Sequence, residues 1–206
     1  MIIKGDITID LPNPWERAKP EVEKNVHGWF SKNKMVVIDR LLKEYELRII
    51  VEVGSWMGQS ALFFAERSEF VICIDTWLGN DHFFYEESLR KFLPVAYETF
   101  LVNCWEMQHK ILPFRVDSKV GLWYLSTQDV EVDMVYIDGS HYYEDVKEDI
   151  KCALKLKGNP LLVGDDFSKR FANDKRKEVE FPVKKATREI FGDKVENEGT
   201  TWWVKA

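Results

Sequence analysis

The chain has 206 residues, the size of one α/β domain, and its formal net charge of −6 disfavours general nucleic-acid binding, which phosphate neutralisation drives. With 45% apolar and 31% charged residues, it can build a full core and stay soluble. No apolar run approaches the roughly 20 residues that span a bilayer, and the N-terminal stretch MIIKGDITIDLPNPWERAKP lacks the apolar segment and cleavage site of a secretory signal, so no membrane partner is expected.

Residues 1–31 read as an irregular N-terminal arm, rich in proline and tryptophan, ahead of an α/β core over 32–206. From Lys34 to Tyr45, Met35, Val36, Ile38, Leu41 and Leu42 recur at helical spacing. Arg48–Gly54 is a short apolar run ending in glycine, a buried strand, and Gly58–Arg67 is a helix. Glu69–Asp75 is the second strand. It carries Cys73, one of three cysteines that are odd in number and have no CxxC spacing. That argues against a disulfide framework and a zinc site, and a cytoplasmic location is expected. Tyr85–Lys110 is mostly helical, with a break at Pro94. Ile111–Val116, Val132–Asp138 and Leu161–Gly164 are further strands, with helices over Lys119–Leu125 and Tyr142–Lys157 between them. Residues 167–178 form a polar, basic loop, Pro182–Phe191 a helix, and Lys194–Glu198 with Thr201–Lys205 a closing pair of strands. Alternation of strand and helix predicts a single-domain, doubly wound, Rossmann-like α/β fold with a mostly parallel sheet. The closing strands add a C-terminal antiparallel hairpin.

Ligands of open α/β sheets bind outside the carboxyl ends of the strands. The first strand runs into Glu52-Val53-Gly54-Ser55-Trp56-Met57-Gly58-Gln59-Ser60. Gly54 and Gly58 let the backbone turn tightly and approach a ligand, and the helix N-terminus behind them favours an anion. The second strand ends in Asp75, a carboxylate suited to the two hydroxyls of a ribose. The third ends in Asp117-Ser118, polar groups placed to meet a purine edge. Each signal has a structural alternative: glycine for packing, a solvated Asp75, a helix cap at Asp117. Their joint occurrence at three successive strand ends points to a nucleoside-containing cofactor.

Glu52 to Ser60 resembles the first motif of class I S-adenosylmethionine-dependent methyltransferases. Ile74-Asp75-Thr76-Trp77, Gly79 to His82, Tyr136-Ile137-Asp138-Gly139-Ser140-His141-Tyr142-Tyr143, Asp149 and Gly164-Asp165-Asp166 are similar to a subgroup that includes the macrocin O-methyltransferases. The resemblance implies the class I methyltransferase fold and S-adenosylmethionine as cofactor. Glu52, Gly54, Ser55, Gly58 and Ser60 would cradle its methionine end. Asp75, with Thr76 and Trp77, would hold the ribose, and Asp117 and Ser118 would flank the adenine, with Asp138 also at the cofactor. Trp56 departs from the pattern, standing where a small residue is usual.

Asp138 ends the fourth strand, and Asp165 and Asp166 end the fifth. Adjacent parallel strands bring these carboxylates to one rim, where they repel. A divalent cation relieves this, and hard oxygen ligands suit Mg²⁺ or Ca²⁺, so Asp138, Asp165 and Asp166 are the expected ligands and Mg²⁺ the expected metal. The alternative is that one of the paired aspartates caps a turn and Asp138 contacts cofactor or substrate directly. His141 lies at a helix start on this rim and is the expected general base, with Asp138 as its catalytic partner. Tyr142 and Tyr143 stand near the same rim. His27 and His109 are read as structural, His82 as a further pocket candidate, and the basic run Lys169 to Lys177 as a solvated loop or a lid over an anionic acceptor. The expected activity is metal-assisted O-methylation of a small-molecule hydroxyl, for example on a sugar, with assembly into a homo-oligomer left open. A nicotinamide-dependent oxidoreductase is the competing enzyme class, although the G-x-G-x-x-G turn is absent. A non-catalytic cofactor-binding protein is the competing non-enzyme.

Overall fold

The computed structural model describes residues 2–4, 7–8, 10–79, 86–168 and 181–205. The arm opens with a short antiparallel pair, β1 (Ile2–Lys4) and β2 (Ile7–Thr8), where the sequence suggested only irregular chain. Helix α1 (Lys32–Glu44) starts at Ser31, whose hydroxyl accepts from the Lys34 N–H, and buries Val37, Ile38, Leu41 and Leu42. Then follow β3 (Ile49–Val53), α2 (Gln59–Arg67) and β4 (Phe70–Asp75). The next stretch is helical in pieces: α3 (Glu87–Arg90), a 3₁₀ turn holding Pro94, and α4 (Ala96–Cys104). Proline at the start of a helical turn loses no hydrogen bond, which is why the break falls there. The remaining elements are β5 (Ile111–Arg115), α5 (Ser118–Ser126), β6 (Met134–Ile137), α6 (Tyr143–Ala153), β7 (Leu161–Gly164), α7 (Pro182–Phe191), β8 (Glu196–Glu198) and β9 (Thr201–Lys205).

Seven strands form one sheet in the order β5-β4-β3-β6-β7-β9-β8. The pairs from β5 to β7 are parallel, and β9 runs antiparallel to both β7 and β8. Successive strand residues point to opposite faces. Val51, Ile72, Ile74, Val135, Ile137 and Leu162 therefore pack with Leu122, Val146, Ile150 and Val183 on one side. On the other side, Ile50, Val71, Cys73, Met134, Tyr136 and Val163 pack with Ile38, Leu41, Phe64 and Phe100. Both faces are covered, which is why β3, β4 and β6 read as mostly apolar runs, with Glu52 within β3 and Asp75 at the end of β4 as the charged exceptions. Strand order reverses between β3 and β6, and the crevice at that switch point is where a ligand fits such a sheet.

The arm closes the β5 edge. Trp15 Nε1 donates to the Ile111 carbonyl at 2.7 Å, satisfying an acceptor on the outermost strand. Leu11 belongs to one core layer while Trp15 and Phe30 belong to the other, so the chain crosses from face to face around that edge. It then runs along the strand ends, where buried Asn103 accepts from the Asn25 N–H at 3.0 Å and donates to the carbonyls of Asn25 and Met57 at 2.8 Å each. Cys73, Cys104 and Cys152 are free thiols. Among the described residues, no helix is long and apolar enough to cross a membrane.

Candidate active site

The loop between β3 and α2 is held by close backbone approach. Gly54 has φ +90°, and a Cβ there would lie 2.4 Å from the Asp138 carbonyl oxygen and 2.5 Å from the Gly139 Cα. The glycine loop therefore presses against the chain leaving β6, and only glycine permits the contact. Gly58 repeats the conformation at φ +85° as α2 begins. Between them Trp56 sits at φ +44°, a costly region for a bulky residue. Its N–H donates to Asp75 Oδ2 at 2.9 Å, and its carbonyl accepts from Trp77 Nε1 at 2.6 Å. Asp75 Oδ1 accepts from the Trp77 N–H at 2.7 Å. Burial raises the Asp75 pKa, and these N–H donors oppose it. Thr76 accepts from the Leu78 N–H at 3.3 Å. Trp77 is buried against Tyr97 and Phe100, so its side chain meets the loop rather than the open crevice.

Glu52 and Ser55 lie under this loop with no exposed polar surface. Both Glu52 carboxylate oxygens and the Ser55 hydroxyl lack a hydrogen bond of good geometry. Burial pushes the Glu52 pKa up to about 7, although the neighbouring Ser55, Ser60 and Cys73 side chains pull it back. An unpaired carboxylate beneath a positive-φ glycine loop is what a cationic group of a ligand would satisfy.

At the end of β5, Asp117 caps α5 by accepting from the Lys119 N–H at 3.0 Å. The Ser118 hydroxyl donates to Asp149 Oδ1 at 2.6 Å. Asp149 is itself pushed by burial to a pKa of about 7. The helix-capping alternative for Asp117 is thus realised, and Asp149 positions Ser118.

The acidic rim gathers most of its expected members. Donor atoms of Asp138, His141 and Asp166 all lie within 4.8 Å of one another. His141 Nε2 is 3.0 Å from Asp166 Oδ2 and 3.8 Å from Asp138 Oδ1. Asp166 takes φ +62°, the left-handed conformation that aspartate tolerates. Tyr136 donates to Asp138 Oδ2 at 3.3 Å. Burial would lower the His141 pKa, but Asp138 and Asp166 overcome it and raise the group to about 9. Asp138 is raised, chiefly by burial, with His141 opposing.

Asp165 stands apart from this cluster. Its Oδ2 pairs with the Lys34 ammonium from α1, and its Oδ1 accepts from the Thr200 hydroxyl at 2.6 Å. Lys34 also donates to the Trp29 carbonyl at 3.0 Å. Burial would lower the Lys34 pKa, yet Asp138, Asp165 and Asp166 raise it. Nothing in the sequence singled out Lys34 or Thr200, because each is a lone polar residue more than a hundred positions from its partner or set in an unrelated element. His27, read as structural, makes packing contacts: its Nδ1 accepts from Trp56 Nε1 at 3.4 Å and its ring stacks on Phe92. Asn80, Asp81, His82 and the basic run from Lys169 to Lys177 lie outside the described residues.

A family described as a methyltransferase domain matches residues 51–167. No curated protein matches the chain in sequence. Among solved structures, the fold is similar to the O-methyltransferase from Bacillus cereus in complex with SAH, at 15% identity, with a TM-score of 0.58 and 89% of this chain and 84% of that one covered. It is similar to the O-methyltransferase TomG from Streptomyces achromogenes, involved in tomaymycin synthesis and solved with SAM, at 18% identity, TM-score 0.61, covering 85% and 81%. CalS11, a TDP-rhamnose 3'-O-methyltransferase of calicheamicin biosynthesis, matches at 14% identity, TM-score 0.52, covering 85% and 81%. At these identities the structural likeness speaks for the fold.

Proposed function

Since the chain belongs to the methyltransferase domain family, we propose that it transfers the methyl group of S-adenosylmethionine to a hydroxyl of a small molecule in the cytoplasm. One observation carries this reading: an acid–base cluster stands directly against a cofactor-type glycine loop, because a Cβ on Gly54 would collide with the Asp138 carbonyl at 2.4 Å. A methyl donor on the loop would therefore face Asp138, His141 and Asp166.

The residues fit the cofactor. The unpaired Glu52 carboxylate and Ser55 hydroxyl suit the amino-acid end, with Gly54, Gly58 and Ser60 forming the cradle. Asp75 already accepts two N–H groups, yet each ionised carboxylate oxygen has further lone pairs for ribose hydroxyls. Asp75→Ala is expected to weaken S-adenosylhomocysteine binding by roughly 1.5–3 kcal/mol, on the order of 10- to 100-fold in Kd. Calorimetry checks this, and unchanged affinity would remove Asp75 from the ribose. A parallel titration with NAD addresses the oxidoreductase alternative, for which no affinity is expected.

The residues also fit a divalent cation, since Asp138 and Asp166 offer oxygens within reach of one another. When bound, such a cation acidifies a coordinated hydroxyl. Asp138 and Asp166 orient the acceptor oxygen, and His141 removes its proton. Exhaustive chelation is expected to abolish methyl transfer to a panel of sugar and phenolic hydroxyls while leaving S-adenosylhomocysteine binding within about threefold, because the cation serves the acceptor. Full activity after chelation would exclude the metal. A second reading makes His141 a cation ligand, favoured by Nε2 being the atom that approaches both carboxylates. A sugar acceptor is in keeping with the fold shared with the TDP-rhamnose 3'-O-methyltransferase.

A further inference from the structure

We propose that Lys34 is a positioning residue that withdraws Asp165 from the cation site, leaving the carboxylates of Asp138 and Asp166 to hold the metal. The inference rests on the metal reading above and concerns how this chain divides its charged rim groups. Both Asp165 oxygens are engaged, Oδ2 by the Lys34 ammonium and Oδ1 by the Thr200 hydroxyl at 2.6 Å. Asp166, one residue on, turns through φ +62° and delivers its carboxylate to His141 instead. The two neighbours thus serve different partners. The Asp165 side chain is 2% exposed and that of Lys34 14%. A pair so buried is broken only at a large cost, because the remaining charge would be stranded. A cation recruiting Asp165 would have to approach its carboxylate against the repulsion of the Lys34 ammonium already held there.

Asp165 consequently works as a junction. Through Lys34 it ties β7 to α1 and, by the 3.0 Å bond from Lys34 to the Trp29 carbonyl, to the arm. Through Thr200 it ties β7 to the closing hairpin, which the Phe167 N–H also contacts at the Thr200 carbonyl, 2.9 Å away. Lys34 itself places one positive charge within electrostatic reach of Asp138 and Asp166. It therefore weakens cation binding by repulsion while keeping the arm docked at the rim.

The test uses the full-length chain and Mn²⁺ alone, with free aqueous Mn²⁺ followed by electron paramagnetic resonance. Removing only Asp165 would strand Lys34 and alter the local charge, so the informative variant is the double substitution Lys34→Met with Asp165→Asn, which removes the pair at constant net charge. Its Mn²⁺ affinity is expected to stay within about threefold of the wild type. Asp166→Asn is expected to lose at least the roughly 10- to 100-fold that follows loss of a metal's outer partners. Lys34→Met alone is expected to bind Mn²⁺ more tightly, on the order of tenfold, by removing one charge near a dication. A misfolded protein would bind more weakly, so the sign separates positioning from structural damage, and Lys34→Arg should restore wild-type affinity. A double variant that loses as much affinity as Asp166→Asn makes Asp165 a ligand and overturns the proposal. Absence of Mn²⁺ binding to the wild type at millimolar concentration overturns the metal reading itself, and this partition with it.

Discussion

His141→Ala is expected to slow methyl transfer by about 10²–10⁴-fold, the usual contribution of a general base, with S-adenosylhomocysteine affinity unchanged. A hydroxyl cannot attack a methyl sulfonium efficiently while it keeps its proton. His141 is the titratable nitrogen that lies 3.0 Å from Asp166 and 3.8 Å from Asp138, beside the loop where the donor would sit. The same carboxylates raise its pKa to about 9, so without a cation the imidazole is protonated at neutrality and cannot accept. The rate should therefore climb with pH, about tenfold per unit, and level off near pH 9. A cation held by Asp138 and Asp166 would compete for their charge and move the limb to lower pH. Single-turnover rates across pH, for wild type and variant, check both statements. Near-normal turnover in the variant with the same pH limb would place the base elsewhere. Mn²⁺ affinity in this variant also separates the two readings of His141: it is retained if the imidazole is only a base and falls if it is a ligand.

Glu52→Gln should make the protein more stable above pH 7 and a poorer binder of cofactor. The native carboxyl holds its proton to about pH 7, against 4.5 for the ordinary group. The native state therefore binds more protons than the unfolded chain between those values, and stability falls as pH rises through the window. The contribution of the protonated form is complete below 4.5 and lost above about 7. At pH 8 the ionised, unpaired carboxylate costs up to about 3 kcal/mol. Glutamine keeps the shape and removes the charge, for an expected gain of several degrees in Tm at about 2–4 °C per kcal/mol. At pH 4 the difference should vanish. S-adenosylhomocysteine binding should weaken by roughly 1.5–3 kcal/mol, the worth of a hydrogen bond to a charged group. A destabilising group retained beneath a ligand loop is explained by the ligand. If the variant melts no higher at pH 8 and binds cofactor equally well, Glu52 is merely structural.

The sequence by itself determined the α/β class, the glycine loop, the placement of Asp75 and Asp138 at strand ends, and that of His141 just before the helix that follows. Those features are local. Apolar runs over Ile49–Val53 and Phe70–Asp75 report burial on both faces of a parallel sheet. A glycine after a strand reports a turn, and a strand end in such a sheet has one place to be. The helix from Pro182 to Phe191 was legible to the residue, since proline marks its start. Tertiary structure alone decided which polar groups pair. Asp165 and Asp166 are adjacent and chemically identical, yet the left-handed turn at Asp166 sends one to His141 and leaves the other to Lys34 and Thr200. It also decided that the arm wraps the β5 edge through Trp15, that Trp77 braces the loop, and that Glu52 is left without a hydrogen bond. Each of these depends on partners distant in sequence, brought within hydrogen-bond range by the register of the sheet. No local pattern of residues encodes such a meeting, because its energy exists only once the strands are side by side.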